Sequence, residues 1–98
     1  MAQSGPERAR RMRELGENLR VWRKAQRLTA EIVAQRAGIT RGTLRNIENG
    51  EGSVRFENLF AVLEVLGLER GVLDATDPST SVRGRALLED GLPERVRL

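Results

Sequence analysis

The sequence predicts an all-α fold, a compact bundle of four or five short helices followed by a short C-terminal tail. Three observations predict it. Apolar residues recur at helical spacing through most of residues 15 to 75, with no alternating strand pattern among them. Threonine and glycine stand where such helices would begin and end. The 98 residues can bury one modest core and are too few for separate catalytic and binding domains.

Taken in order, Gly5, Pro6 and Glu7 form a helix start with proline in the first turn, although little before Leu15 is suited to burial. Residues 1 to 13 therefore read as a basic arm or as a helical extension. Leu15, Leu19 and Trp22 share one face of a first helix over 14 to 25. Thr29 is placed to cap a second helix, whose Val33, Ala34 and Ala37 face inward and which Gly38 closes in a left-handed conformation. Thr40 caps a third, with Leu44 and Ile47 inward and Asn49 and Gly50 at its end. Phe56, Leu59, Val62, Leu63 and Leu66 mark a fourth that ends at Gly67. Leu68, Val72 and Leu73 make a short fifth before Asp77 and Pro78. The domain so defined runs from 14 to 76, leaving a tail at 77 to 98 for dimer or partner contact. Val82 to Leu88 could add one helix, ended by Gly91 and Pro93.

Composition excludes several classes of function. With no histidine and no cysteine, the commonest general base, the thiol nucleophile and the usual zinc ligands are missing, and no disulfide is possible. No paired-carboxylate or phosphate-loop arrangement stands out, so an enzyme is not expected, nor a metal or cofactor. Trp22, Phe56 and Phe60 are too few for a base-stacking platform. No apolar run approaches the roughly 20 residues that span a bilayer, so a cytoplasmic protein without membrane contact is expected. The net charge of +3 conceals an asymmetry. Residues 1 to 28 carry eight basic against three acidic side chains, whereas 51 to 77 carry two against six. A polyanion-facing first half is one reading, and solvated surface charge is the other.

The stretch TAEIVAQRAGITRGTLRNIENG, residues 29 to 50, decides between them. Small Ala34 suits a close helix crossing, Gly38 a left-handed turn, and Leu44 with Ile47 pin the third helix to the core. That spacing is a helix-turn-helix. At about 100° per residue, Gly42 and Asn49 point most nearly outward, with Arg45 and Asn46 beside them and Arg41 and Thr43 at the N-terminal end. Arginine can donate two hydrogen bonds to guanine, asparagine can pair with adenine, and threonine offers a hydroxyl and a methyl. Glu48 lies toward the core side of the same helix and needs a partner there.

Residues 15 to 75 resemble the Cro/CI-type helix-turn-helix family, also called Xre. The telling segment is ITRGTLRNIENGEGSVRFENLFAVLEVLGL, with the triplet Glu48-Asn49-Gly50 and a fourth helix ending in Leu66-Gly67. The resemblance implies a lambda-repressor-like bundle that binds double-stranded DNA. It implies base contacts from Arg41, Thr43, Arg45 and Asn46. Phosphate contacts are implied from the second helix's amino end at Thr29 and Ala30, from Asn49, and from the loop holding Arg55. It also pairs Arg23 with Glu48 as a fold element.

The chain departs from that pattern in three places. Ala30 stands where the family usually has a phosphate-binding glutamine. Gly42, the most outward recognition position, has no side chain, which shifts sequence choice onto Arg41, Arg45 and Asn46. Val54 and Arg55 replace the usual Pro-Ser, so the fourth helix is capped by Ser53 or not at all.

Recognition by one short helix implies a homodimer on a palindromic operator, with half-sites about 34 Å apart. The tail ALLEDGLPERVRL, with Asp77-Pro78, is similar to short HipB-type antitoxins, which implies a HipA-like kinase toxin as partner and repression of the shared operon. A phage-type or metabolic regulator is the alternative, as is a protein-binding adaptor with weak DNA readout. Arg8, Arg10, Arg11 and Arg13 would follow the minor groove or phosphates, or form an extension without contact.

Overall fold

The computed structural model describes residues 5–91, which are helical with no strand among them. Pro93 and the ERVRL end of the tail lie outside the described residues. Contacts divide the chain into two units, the first ending at Leu68 and the second beginning at Glu69.

The first unit holds α1 (Gly5–Ala25), α2 (Ala30–Ala37), α3 (Arg41–Glu48) and α4 (Phe56–Leu66). Each helix contributes one fully buried side chain to the centre: Leu19, Val33, Leu44 and Val62. Ala34, Ile47, Leu63 and Leu66 complete the core, and Leu28, Ile39, Val54 and Leu59 close its edges. Gln26 at the end of α1 donates from its side-chain amide to the Leu66 carbonyl at 2.9 Å, tying the two helix ends together.

α1 is longer than the apolar spacing suggests and is turned about its axis. It runs unbroken from Gly5, with Glu7 in its first turn and Arg23 and Lys24 in its last, charges that suit the helix dipole. The expected inward face of Leu15, Leu19 and Trp22 is corrected: only Leu19 is buried, and Trp22 is 49% exposed. The buried partner of Leu19 is Gly16, because α1 crosses the end of α3 so closely that a Cβ there would lie 2.6 Å from the Ile47 carbonyl and against that of Glu48. Further up α1, Met12 and Arg13 press on Gly50, where a Cβ would come within 2.6 Å of the Met12 carbonyl.

Two features mark the start of α4. Its N-cap is Arg55, with no side-chain capping bond, so of the two expected alternatives, a Ser53 cap or none, the second is observed. Phe56 is 75% exposed, because its place in the first turn lies beyond the core edge, and its ring instead stands 6.0 Å from that of Phe60.

The second unit holds α5 (Glu69–Thr76), a 3-10 turn (Pro78–Thr80) and α6 (Val82–Glu89). The described helices thus number six, the last of them in the tail where Val82 to Leu88 could add one. Two local caps build it: Asp77 accepts from the Ser79 N–H at 2.9 Å, and Ser81 accepts from the Gly84 N–H at 2.9 Å. Gly84 is the buried residue of α6, since its bare Cα lets the Pro78 carbonyl close upon it. Val72 and Leu73, which mark this short fifth helix, are exposed.

Candidate nucleic-acid interface

The turn between α2 and α3 is set by two caps and one glycine. Thr29 Oγ1 accepts from the Ile32 N–H at 3.1 Å, and Thr40 Oγ1 accepts from the Thr43 N–H at 3.0 Å. Gly38 between them takes φ 72°, and its N–H and that of Ile39 return to the Gln35 and Ala34 carbonyls. Such a pair of threonine caps satisfies donors that would otherwise face solvent, each contributing about 1 kcal/mol. The result is a short second helix followed by a third whose Leu44, Ile47 and Glu48 are buried.

On the opposite side of α3, Arg41, Gly42, Arg45, Asn46 and Asn49 are exposed, and Thr43 is half-buried. Arg41, Arg45 and Asn46 have no side-chain partner among the described residues, so their donors are available. Thr43 Oγ1 accepts from the Thr40 hydroxyl at 3.0 Å, which leaves its own proton and methyl free. Gly42 stands in open space, with only Thr40 Oγ1 at 3.8 Å from a built Cβ. Ala30 sits at the start of α2, and Arg55 in the loop before α4, ion-paired to Glu57 at 3.2 Å with both groups exposed.

Behind α3 lies the ion pair that braces it. Arg23 Nε donates to Glu48 Oε2 at 2.7 Å and Nη2 to Oε1 at 3.1 Å, a two-pronged contact, while Nη1 donates to the Leu28 carbonyl at 3.1 Å. Arg20 is a member that the sequence reading does not name. Its Nε reaches Glu48 Oε1 at 3.4 Å, Nη1 reaches Glu17 at 3.3 Å, and Nη2 donates to Asn49 Oδ1 at 3.0 Å. Asn49 therefore presents its amide nitrogen outward with its oxygen already engaged. The spacing of Arg20 and Arg23, i and i+3 on one helix, was the available signal, since both necessarily face the same side.

Two short helices joined by a glycine turn, the second with a buried apolar seam and a cationic outer face, define a DNA-binding helix-turn-helix. A helix-turn-helix family model matches residues 19–73, more than half of the chain, and the protein belongs to that family, the Cro/CI-type or Xre regulators. It is a DNA-binding transcription regulator. No curated protein and no solved structure matches the chain. No helix among the described residues is long and apolar enough to cross a membrane.

Proposed function

We propose that the protein is a sequence-specific repressor that binds a palindromic operator as a homodimer and serves as the antitoxin of a HipBA-like pair. The observation that carries DNA readout is the outer face of α3. Arg41, Arg45 and Asn46 project unpartnered from a helix whose inner residues are locked in the core. In this reading those three and Thr43 contact base edges, Gly42 lets the backbone approach the groove, and Thr29, Ala30, Asn49 and Arg55 meet phosphates. A single α3 reads only a few base pairs, which favours a dimer on two half-sites about 34 Å apart. The repressor would then act on nucleoid DNA in the cytoplasm.

The antitoxin role draws support from the second unit, where Val82 and Leu87 are exposed on α6, apolar groups suited to a protein contact. The same observation favours the second reading, an adaptor whose essential task is to hold a partner.

A gel shift with the protein's own upstream DNA separates the two. Replacing Arg41 and Asn46 by alanine should cost about 1 to 3 kcal/mol each and relax one base position apiece. Undiminished binding by the double variant refutes readout by α3. Co-purification of a kinase-like protein encoded by the adjacent gene tests the antitoxin role, and its absence from a complex made by co-expression refutes it.

A further inference from the structure

A cavity of about 170 Å³ lies between α1, the end of α3, the loop that follows it and the first turn of α4, and none of the outward side chains of α3 lines it. Its floor is made by Leu19 and Ile47, core residues only 2% and 4% exposed. Leu15, Val54 and Leu59 form its walls, and Leu15 is 45% exposed, so the cavity opens to solvent on that side. Met12 and Gly50 close the remaining side. Gly50, at φ 75°, lets the loop lie directly against the Met12 main chain, and Met12 Cε stands 3.5 Å from a Cβ built on Gly52. Met12 is therefore an adjustable wall, an unbranched thioether with three rotatable bonds laid over apolar space.

One charged side chain lines the cavity, that of Glu51. It is exposed, and its carboxylate has no partner among the described residues. Arg13 meets Gly50 through its main chain, and its side chain does not line the cavity. Apolar walls thus end at a mouth that carries one uncompensated negative charge.

Size and charge together define the occupant. A cavity of about 150 Å³ lined by Leu, Ile and Phe holds one benzene, so this one suits an apolar body of roughly six to eight non-hydrogen atoms. It is too small for a helix or strand of another protein, and the core closes it from below. We propose that it binds a small organic ammonium, an alkyl or arylalkyl amine whose apolar body rests on Leu19 and Ile47 and whose cationic head meets Glu51. An anionic molecule of the same shape is repelled by that carboxylate, and a neutral one gains no attraction from it. The proposal is independent of the DNA-binding reading of α3, and its test needs no DNA.

The test titrates butyl-, hexyl-, octyl- and decylammonium chloride into the full chain at low salt, following the methyl NMR resonances of Leu19 and Ile47. Hexanol and hexanoate are the neutral and anionic comparisons. Both methyl sets should shift, and affinity should rise about fourfold per methylene, the equivalent of about 0.8 kcal/mol, then level off beyond roughly eight carbons as the cavity fills. Hexylammonium should bind about two- to fivefold more tightly than hexanol, as suits an exposed ion pair, and hexanoate more weakly than either. Glu51→Gln should abolish that preference while leaving hexanol binding unchanged. Leu59→Phe, which fills the cavity, should remove binding of all three; if this variant fails to fold, the levelling of the chain-length series decides in its place. An affinity that climbs undiminished through decylammonium, or buried methyls that do not shift, means adsorption on the surface and overturns the proposal. Equal binding of hexanol and hexylammonium, or a preference that survives Glu51→Gln, overturns it as well.

Discussion

Replacing Glu48 by alanine measures how much of the first unit's stability depends on one carboxylate. In the folded chain that group is 6% exposed and accepts two hydrogen bonds from Arg23, at 2.7 and 3.1 Å, and one long bond from Arg20. Removing one member of a buried pair costs about 3 to 5 kcal/mol, because the surviving charge stays buried without its partner. Two features place this case at or just below that range. Arg23 keeps the Leu28 carbonyl at 3.1 Å and borders a solvent-accessible pocket. Glu48 also closes the last turn of α3, where a negative charge opposes the helix dipole, so its removal returns about 0.3 to 1 kcal/mol. The expected loss is about 2 to 3 kcal/mol, which at roughly 4 to 8 °C per kcal/mol is a fall in Tm of about 8 to 24 °C. Urea and thermal unfolding followed by circular dichroism give the loss. Double-mutant cycles then apportion it. Arg23 with Glu48 should couple by about 1.5 to 3 kcal/mol as a charged, shielded hydrogen-bonded pair. Arg20 with Glu48 should couple by less than about 1 kcal/mol at its longer distance and greater exposure. A Glu48→Ala loss below 1 kcal/mol, or equal coupling to the two arginines, refutes the assigned division of roles.

Three further outcomes follow from local geometry. Gly16→Ala should destabilise by about 1 to 2 kcal/mol, since a Cβ driven against the Ile47 and Glu48 carbonyls outweighs alanine's helix propensity; Gly42→Ala, in open space, should instead be neutral or stabilising, and the same sign for both in urea unfolding would defeat the argument. Arg27 follows α1 at φ 61°, where the Leu28 N–H bonds the Arg23 carbonyl and the Arg27 N–H bonds that of Lys24. Arg27→Gly should therefore raise stability by up to about 1 kcal/mol, as glycine carries no Cβ penalty there, and a decrease would count against it. The Asp77 carboxyl is held below the ordinary aspartate range by the Ser79 N–H and hydroxyl, with a smaller contribution from Arg70. Because its folded pKa is lowered, its contribution to the cap is complete above the ordinary aspartate pKa and is lost as pH falls through the lowered value. An NMR titration should show that depression and its partial reversal in Ser79→Ala, and a midpoint at or above the ordinary range would contradict it.

The helix-turn-helix was legible because its determinants are short-range. A threonine at each N-cap, Gly38 at the turn, and Leu44 with Ile47 on one face act within a few residues of one another, so spacing alone locates them. The orientation of α1 was not legible, because apolarity patterns give glycine no weight. The deciding residue was Gly16, which allows main-chain contact with the end of α3, and it turned Trp22 outward although Trp22 shares the helical spacing of Leu15 and Leu19. The start of α4 was legible only as a choice between a Ser53 cap and none. Ser53 has the right chemistry but lies two residues before the position where the chain enters the helix, and Arg55 occupies that place. The tail's helix was foreshadowed by Val82 to Leu88, while the contact that fixes it, Gly84 on the Pro78 carbonyl, leaves no trace in hydropathy.

The two arginines of α1 show the limit of sequence reasoning in its sharpest form. Arg20 and Arg23 are chemically identical and face the same carboxylate, so composition and spacing give no reason to prefer either as its partner. A difference of 0.7 Å in Nε distance separates them, 2.7 against 3.4 Å. The nearer one also bonds the Leu28 carbonyl and is confined to bracing α3. If Arg23 turned away, it would leave Glu48 buried without its nearer partner, a cost that one new surface contact does not offset. Arg20 can turn without that cost, since Glu48 remains paired and Glu17 and Asn49 stand in solvent. One carboxylate served by two guanidinium groups thus yields one structural cation and one surplus cation, and the surplus one stands at the edge of the DNA-facing side.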